Sequence, residues 1–265
     1  MNTVTSADGT SIAYEELGGG PPLIIVTAAF NTRASTEPLA AALQDRFTVL
    51  NYDRRGRGGS GDTPPYAVDR EIDDIAALID SAGGAAALFG HSSGATLALW
   101  AAARGLPITK LALYEPPFLV DQSRPPLAVD LPDRLAALVA AGRRGDAVEL
   151  YQTEAVGIPE NVVVQLRHAP FRPALEAIAH TLVYDATIVG DCSLPVAMIS
   201  SITTQSIVFD GELSPPMLRN AARVLAETLP HGRRCTLAGR THELSPEAIA
   251  PPLAAFLAGE RAVAR

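Results

Sequence analysis

The chain has 265 residues, a formal net charge of −8 and 48% hydrophobic content. That is enough for one full core, or a core plus a small inserted subdomain, and excludes a larger assembly of domains. The acidic balance opposes nonspecific binding to nucleic acid or anionic membrane, both of which are themselves negative, and leaves a small molecule as the expected partner.

In chain order, Asn2–Ser6 and Ser11–Leu17 flank Asp8-Gly9 and read as an opening β-hairpin. Leu23–Val26 follows as a short apolar strand, then Pro38–Leu43 as a helix and Phe47–Tyr52 as a strand. Val68–Ser81 is amphipathic, with Ile72, Ile75, Leu78 and Ile79 on one face. Ala85–Phe89 is an apolar strand leading through a glycine turn into the helix former Thr96–Ala103, and Lys110–Tyr114 supplies the next strand. Apolar strands alternating with crossover helices predict a largely parallel sheet wrapped on both faces.

From Pro116 to about Ser200 the strand signal disappears, and helices are expected at Asp133–Ala141, Asp146–Ala155 and Arg172–Ile188, broken by prolines. Alternation resumes with the strand Gln205–Phe209, the helix Pro216–Leu229, the strand Arg234–Leu237 and the helix Glu247–Ala258. Residues 1–115 and 201–265 are thus expected to form the core, and 116–200 a helical lid.

No uncharged apolar stretch reaches about 18 residues, and residues 1–9 carry neither a basic nor an apolar targeting region, so a cytoplasmic location is expected. Cys192 and Cys235 are expected to stay reduced. The five histidines show no ligand spacing, so neither metal nor cofactor is expected.

The chemistry concentrates in Gly90-His91-Ser92-Ser93-Gly94, a Gly-x-Ser-x-Gly segment set between a buried strand and a helix. Glycines two residues either side of Ser92 allow the sharp turn that presents a serine hydroxyl above a sheet. A hydroxyl is a poor nucleophile until an imidazole takes its proton, and His242, in the loop before the last helix, is placed to do so. His91, adjacent to Ser92, reads as a residue that shapes the site. The carboxylate that orients the imidazole is open at this point: both Glu115 and Asp210 follow strand ends.

Asp53–Gly61 contains a formal G-x-G-x-x-G, but Asp62–Tyr66 is turn-rich where a dinucleotide site requires a helix, so the loop reads as structural. Its three arginines sit in an acidic chain and do not form a nucleic-acid patch.

Together, Asp53–Ser60, Gly90–Gly94 and Thr241-His242 resemble the motifs of the α/β-hydrolase superfamily, particularly its small lid-bearing bacterial esterase-like and lactonase-like members. The resemblance implies a mostly parallel eight-stranded sheet flanked by helices, with Ser92 as nucleophile and His242 as base. Two segments depart from the pattern. The family's usual His-Gly after the first long strand is replaced by Val26-Thr27-Ala28-Ala29-Phe30, so the oxyanion donors implied by position are the N–H groups of Ala29 and Ser93, with Phe30 a near alternative to Ala29. The usual position of the acid is Ser214, but members such as haloalkane dehalogenases carry it after the preceding strand, which favours Glu115 over Asp210. The expected activity is hydrolysis of an ester or lactone of a small, mainly apolar molecule. Non-hydrolytic enzymes of the same fold (lyase, cyclase, perhydrolase) and an inactive small-molecule binder are the alternatives.

Overall fold

The computed structural model describes residues 1–260. Eight strands form one sheet: β1 (Asn2–Thr5), β2 (Ser11–Gly18), β3 (Pro22–Val26), β4 (Thr48–Tyr52), β5 (Ala86–His91), β6 (Ile108–Tyr114), β7 (Ser206–Gly211) and β8 (Gly232–Leu237). Their order is β1-β2-β4-β3-β5-β6-β7-β8. The pairs β1–β2 and β2–β4 are antiparallel, and every other pair is parallel.

The apolar runs of the central strands follow from burial on both faces. In β3, Ile24 and Val26 enter one cluster while Leu23 and Ile25 enter the other; in β5, Leu88 and Phe89 divide the same way. Fully burying each such side chain is worth about 1.5–3 kcal/mol, and a charge at any of these positions would forfeit that and more.

Helices α1 (Arg33–Leu43) and α11 (Pro246–Ala258) cover one face; α2 (Val68–Ser81), α3 (Ser93–Ala103) and α10 (Pro216–Thr228) cover the other. The split follows from handedness. The chain steps outward from β3 through α1 to β4, then returns through α2 past β3 to β5, and right-handed crossovers in opposite directions lay their helices on opposite faces. The carboxyl ends of β3 and β5 therefore flank the point where the winding reverses, the usual place for a site in such a sheet.

Between β6 and β7 lie α4 (Leu131–Ala140), α5 (Arg144–Leu150), α6 (Glu160–Leu166), α7 (Arg172–Ala177), α8 (Leu182–Val189) and α9 (Val196–Ile199). Of these, α4, α5 and α8 share a core around Leu131, Leu135, Tyr151 and Leu182, against which Ala29 and Phe30 pack. The segment is not detached: Ile188, Ile199 and Ile202 join the cluster on the α3 face of the sheet, and the Trp100 indole of α3 donates to the Ile188 carbonyl at 3.0 Å.

Helix boundaries depart from the sequence expectation where tertiary contacts decide. Helix α1 starts at Arg33 rather than Pro38 because its Arg33 N–H, an orphan donor of the first turn, finds the Asp53 carboxylate at 2.8 Å. The expected helix 172–188 is interrupted by a 3₁₀ turn at Ala179–Thr181, where the Thr181 hydroxyl competes for the Ile178 carbonyl. The expected helix 146–155 spans α5 and continues as a π-helical turn over Tyr151–Val156. Helix α6 carries three successive valines, poor helix formers, and is held by burial of Val163 and by Arg167 pairing with Glu149 of α5. No helix among the described residues is long and apolar enough to cross a membrane.

Candidate active site

Strand β5 delivers the chain to Ser92 in a backbone conformation of φ 54° and ψ −121°, an unfavourable one for a residue with a side chain. The turn is possible because both flanking glycines are obligatory. A Cβ on Gly90 would lie 2.6 Å from the Ala95 Cα, and one on Gly94 would lie 2.4 Å from the Val26 and Thr27 carbonyl oxygens. The turn is pinned to the neighbouring strand by the Ser92 N–H, which donates to the Tyr114 carbonyl at 2.8 Å.

His242 sits in the loop between β8 and α11, with Nε2 3.2 Å from Ser92 Oγ and Nδ1 2.6 Å from Glu115 Oε2. Glu115, one residue beyond β6, is fully buried and has φ 48°. Its second oxygen accepts the Gly211 N–H at 2.7 Å, and its own N–H donates to the Phe209 carbonyl. With the carboxylate accepting from Nδ1–H, Nε2 carries the lone pair and accepts from the serine hydroxyl. The three side chains thus form one directed hydrogen-bond chain able to move the hydroxyl proton onto an imidazole whose positive charge the carboxylate stabilises.

Asp210, the other carboxylate offered by the sequence, is not brought to His242. It is fully buried and held by Arg234 through Nε at 2.8 Å and Nη2 at 2.7 Å, and by the Thr236 hydroxyl at 3.0 Å. Thr236 lies on β8 directly beside Asp210 on β7, and Arg234 is two residues earlier, beside Val208, so the group is a cross-strand clamp at the sheet edge. Ser214 is buried and has no hydrogen-bond partner for its hydroxyl among the described residues.

His91 packs behind the histidine loop, with its ring 4.9 Å from that of His242 and Nε2 3.0 Å from the His242 carbonyl. Burial, reinforced by the neighbouring His242, lowers its pKa to about 3, so the ring is neutral and donates to that carbonyl. The Tyr114 hydroxyl likewise bonds to the Thr241 carbonyl, so two β-strand side chains hold the backbone that carries His242.

The Ala29 and Ser93 N–H groups leave the ends of β3 and β5 on either side of the reversal point, and among the described residues neither donates to a protein acceptor. Phe30, the near alternative, has φ 63° and sets its ring edge-on against Tyr151 of the π-helical turn, 5.4 Å between centroids. The sequence reading did not single out Asp185 of α8, which accepts the Ser93 hydroxyl at 2.8 Å. An acid on a mostly apolar helix was the available signal, but only the fold reveals its partners.

A family model described as the alpha/beta hydrolase family matches residues 23–251. An alpha/beta hydrolase of known structure from Sphaerobacter thermophilus is 55% identical, the match covering 97% of this chain and 100% of that one with a TM-score of 0.91. A thermophilic esterase from Thermogutta terrifontis shares the fold at 20% identity, covering 97% of this chain and 98% of that one, with a TM-score of 0.74. The 2-(acetamidomethylene)succinate hydrolase of Mesorhizobium japonicum is 40% identical over 97 residues, which is 36% of this chain; the match spans about a third, 34%, of that curated relative's length.

Proposed function

The chain belongs to the alpha/beta hydrolase family, and on that premise we propose that it is a serine hydrolase opening an ester or lactone bond of a small, mainly apolar molecule. The observation that carries this reading is the unbroken chain from Ser92 Oγ through His242 to Glu115, at 3.2 Å and 2.6 Å.

Ser92 Oγ attacks the carbonyl carbon as His242 Nε2 takes its proton, and Glu115 stabilises the imidazolium. The tetrahedral oxygen is received by the N–H groups of Ala29 and Ser93, each worth about 3–4 kcal/mol in comparable sites. The imidazolium returns its proton to the leaving alkoxide as the bond breaks. Water, deprotonated by His242, then attacks the acyl-enzyme and releases the acid, regenerating Ser92. Helices α4–α9 roof this site as a lid, and the apolar core shared by α4, α5 and α8, against which Ala29 and Phe30 pack, supports an apolar acyl or alcohol group. That the Mesorhizobium relative is a hydrolase supports hydrolysis as the reaction class, while the bond cleaved here rests on the site's own chemistry.

Hydrolysis of p-nitrophenyl butyrate and of simple lactones in H₂¹⁸O tests the reading. Label in the carboxylic acid product is the expected result. Turnover without solvent oxygen in the product contradicts hydrolysis and points to isomerisation or transfer.

A further inference from the structure

We propose that Asp185 and Arg57 are positioning residues that together fix the two backbone N–H groups, those of Ala29 and Ser93, which receive the negative oxygen. The proposal rests on the donor assignment made above.

The argument begins with the peptide unit. The Ala28 carbonyl and the Ala29 N–H belong to one trans peptide, so they point in opposite directions. Arg57 Nη1 donates to the Ala28 carbonyl at 2.7 Å and to the Asn31 carbonyl at 3.1 Å. Anchoring the carbonyl on a guanidinium turns the Ala29 N–H away from Arg57, and the charge polarises the peptide so that its N–H becomes a stronger donor. Reversing this peptide would strip a buried cation of one of its acceptors. The second bond, to Asn31, closes a bracket around Phe30 and offsets the cost of its left-handed conformation.

Asp185 connects this bracket to the serine turn. Its Oδ2 accepts Arg57 Nη2 at 2.5 Å, and its Oδ1 accepts both Arg54 Nη1 at 2.7 Å and the Ser93 hydroxyl at 2.8 Å. Ser93 opens α3 directly after the strained Ser92, so tethering its side chain fixes the rotation of the first helical turn and the direction of its N–H. One carboxylate on α8 thereby holds both sides of the hole. Burial pushes the Asp185 carboxyl up, but Arg57 and Arg54 outweigh it and keep the group ionised. Glu71 occupies Arg54 through Nε and Nη2, both at 2.8 Å, so two arginines face two carboxylates and the network is neutral as a whole.

The same loop contains a matched network that reaches neither donor peptide. Arg55 binds Asp74 through Nε and Nη2 at 2.8 Å and 2.7 Å, and Asp8 through Nη1 at 2.9 Å. It is equally a buried ion pair between the loop and α2, and serves as an internal control for a purely structural role.

The test compares wild type, Ser93→Ala, Asp185→Asn, Arg57→Lys and Asp74→Asn. It reads kcat and KM on p-nitrophenyl butyrate, and the inhibition constant of an alkyl trifluoromethyl ketone, whose hemiketal on Ser92 places an oxyanion in the hole. Ser93→Ala and Asp185→Asn are expected to lower kcat about tenfold or more and weaken the ketone by a similar factor, with KM held within about twofold. Asp74→Asn is expected to lower Tm and leave both readouts alone. Ser93→Ala removes a single hydroxyl and Arg57→Lys retains the charge, so they carry the test if Asp185→Asn does not fold. Wild-type kcat and ketone affinity in Ser93→Ala and Arg57→Lys, or equal losses in Asp74→Asn, would overturn the proposal while leaving the hydrolase reading intact. A wild type that neither turns over the ester nor takes a fluorophosphonate at Ser92 would instead refute the hydrolase reading, and this brace with it.

Discussion

Glu115 Oε2 lies 2.6 Å from His242 Nδ1 while its partner oxygen, Oε1, holds the Gly211 N–H at 2.7 Å. Both oxygens of a fully buried carboxylate are committed, so its rotation is restrained. The acid at the end of β6 is thus anchored to β7 and aimed at the histidine loop.

Glu115→Gln is expected to keep the fold and lower kcat for ester hydrolysis by about 10³–10⁴, because an amide cannot stabilise the imidazolium or enforce the required tautomer. Asp210→Asn is expected to leave kcat within a few-fold of wild type and to cost about 1–3 kcal/mol of stability, since Arg234 loses its charged partner at the sheet edge. Parallel steady-state kinetics and urea unfolding of the two variants check both; reversed effects would exchange the roles of the two acids.

The serine turn is expected to tolerate no side chain at Gly94. An added Cβ meets the Val26 and Thr27 carbonyl oxygens at 2.4 Å, both backbone atoms of a central strand and its continuation. Gly94→Ala should destabilise by about 1–3 kcal/mol or more and slow fluorophosphonate uptake by Ser92. Thermal unfolding and labelling rates on the purified variant measure this, and wild-type values in both would contradict it.

The neutral His91 should leave a signature in the acid limb of stability. Its pKa is about 3 when folded against an ordinary value of 6.5, so above 6.5 both states are neutral and it contributes no pH dependence. As pH falls from 6.5 towards 3, the unfolded chain takes up a proton that the folded one refuses, and stability drops by up to about 1.4 kcal/mol per unit. Between about pH 7 and pH 5, His91→Asn should therefore lose about 2 kcal/mol less than wild type. Urea unfolding at the two pH values gives the comparison, and an equal loss in both proteins would refute it.

Cys192 is 5% exposed and burial pushes its thiol up to about 11. Iodoacetamide at about pH 8 should leave it unmodified in the folded protein and label both Cys192 and Cys235 in denaturant. Peptide mass spectrometry reads the result, and rapid labelling of Cys192 in the native state would contradict the burial.

The parallel core was legible because its strands are short, wholly apolar and separated by crossover helices, and the serine turn because only glycines fit around it. The choice between Glu115 and Asp210 was open locally: each follows a strand, and only the register of β8 brings Arg234 to one and the histidine loop to the other. The helices between β6 and β7 were legible as helical but not in their breaks: the break at Thr181 turns on a local bond to the Ile178 carbonyl, while Tyr151 of the π-helical turn packs against Phe30, a partner distant in sequence. Asp185 was invisible for the latter reason. It gains meaning from Arg54, Arg57 and Ser93, which lie at least 92 positions away in the chain.

The most direct measurement is intact-protein mass spectrometry after treatment with a fluorophosphonate, on wild type, Ser92→Ala and His242→Ala. A single adduct on wild type, absent in Ser92→Ala and formed orders of magnitude more slowly in His242→Ala, is the predicted result. A folded wild type that takes no adduct, or an adduct that persists in Ser92→Ala, would contradict the assignment of Ser92 as the activated nucleophile.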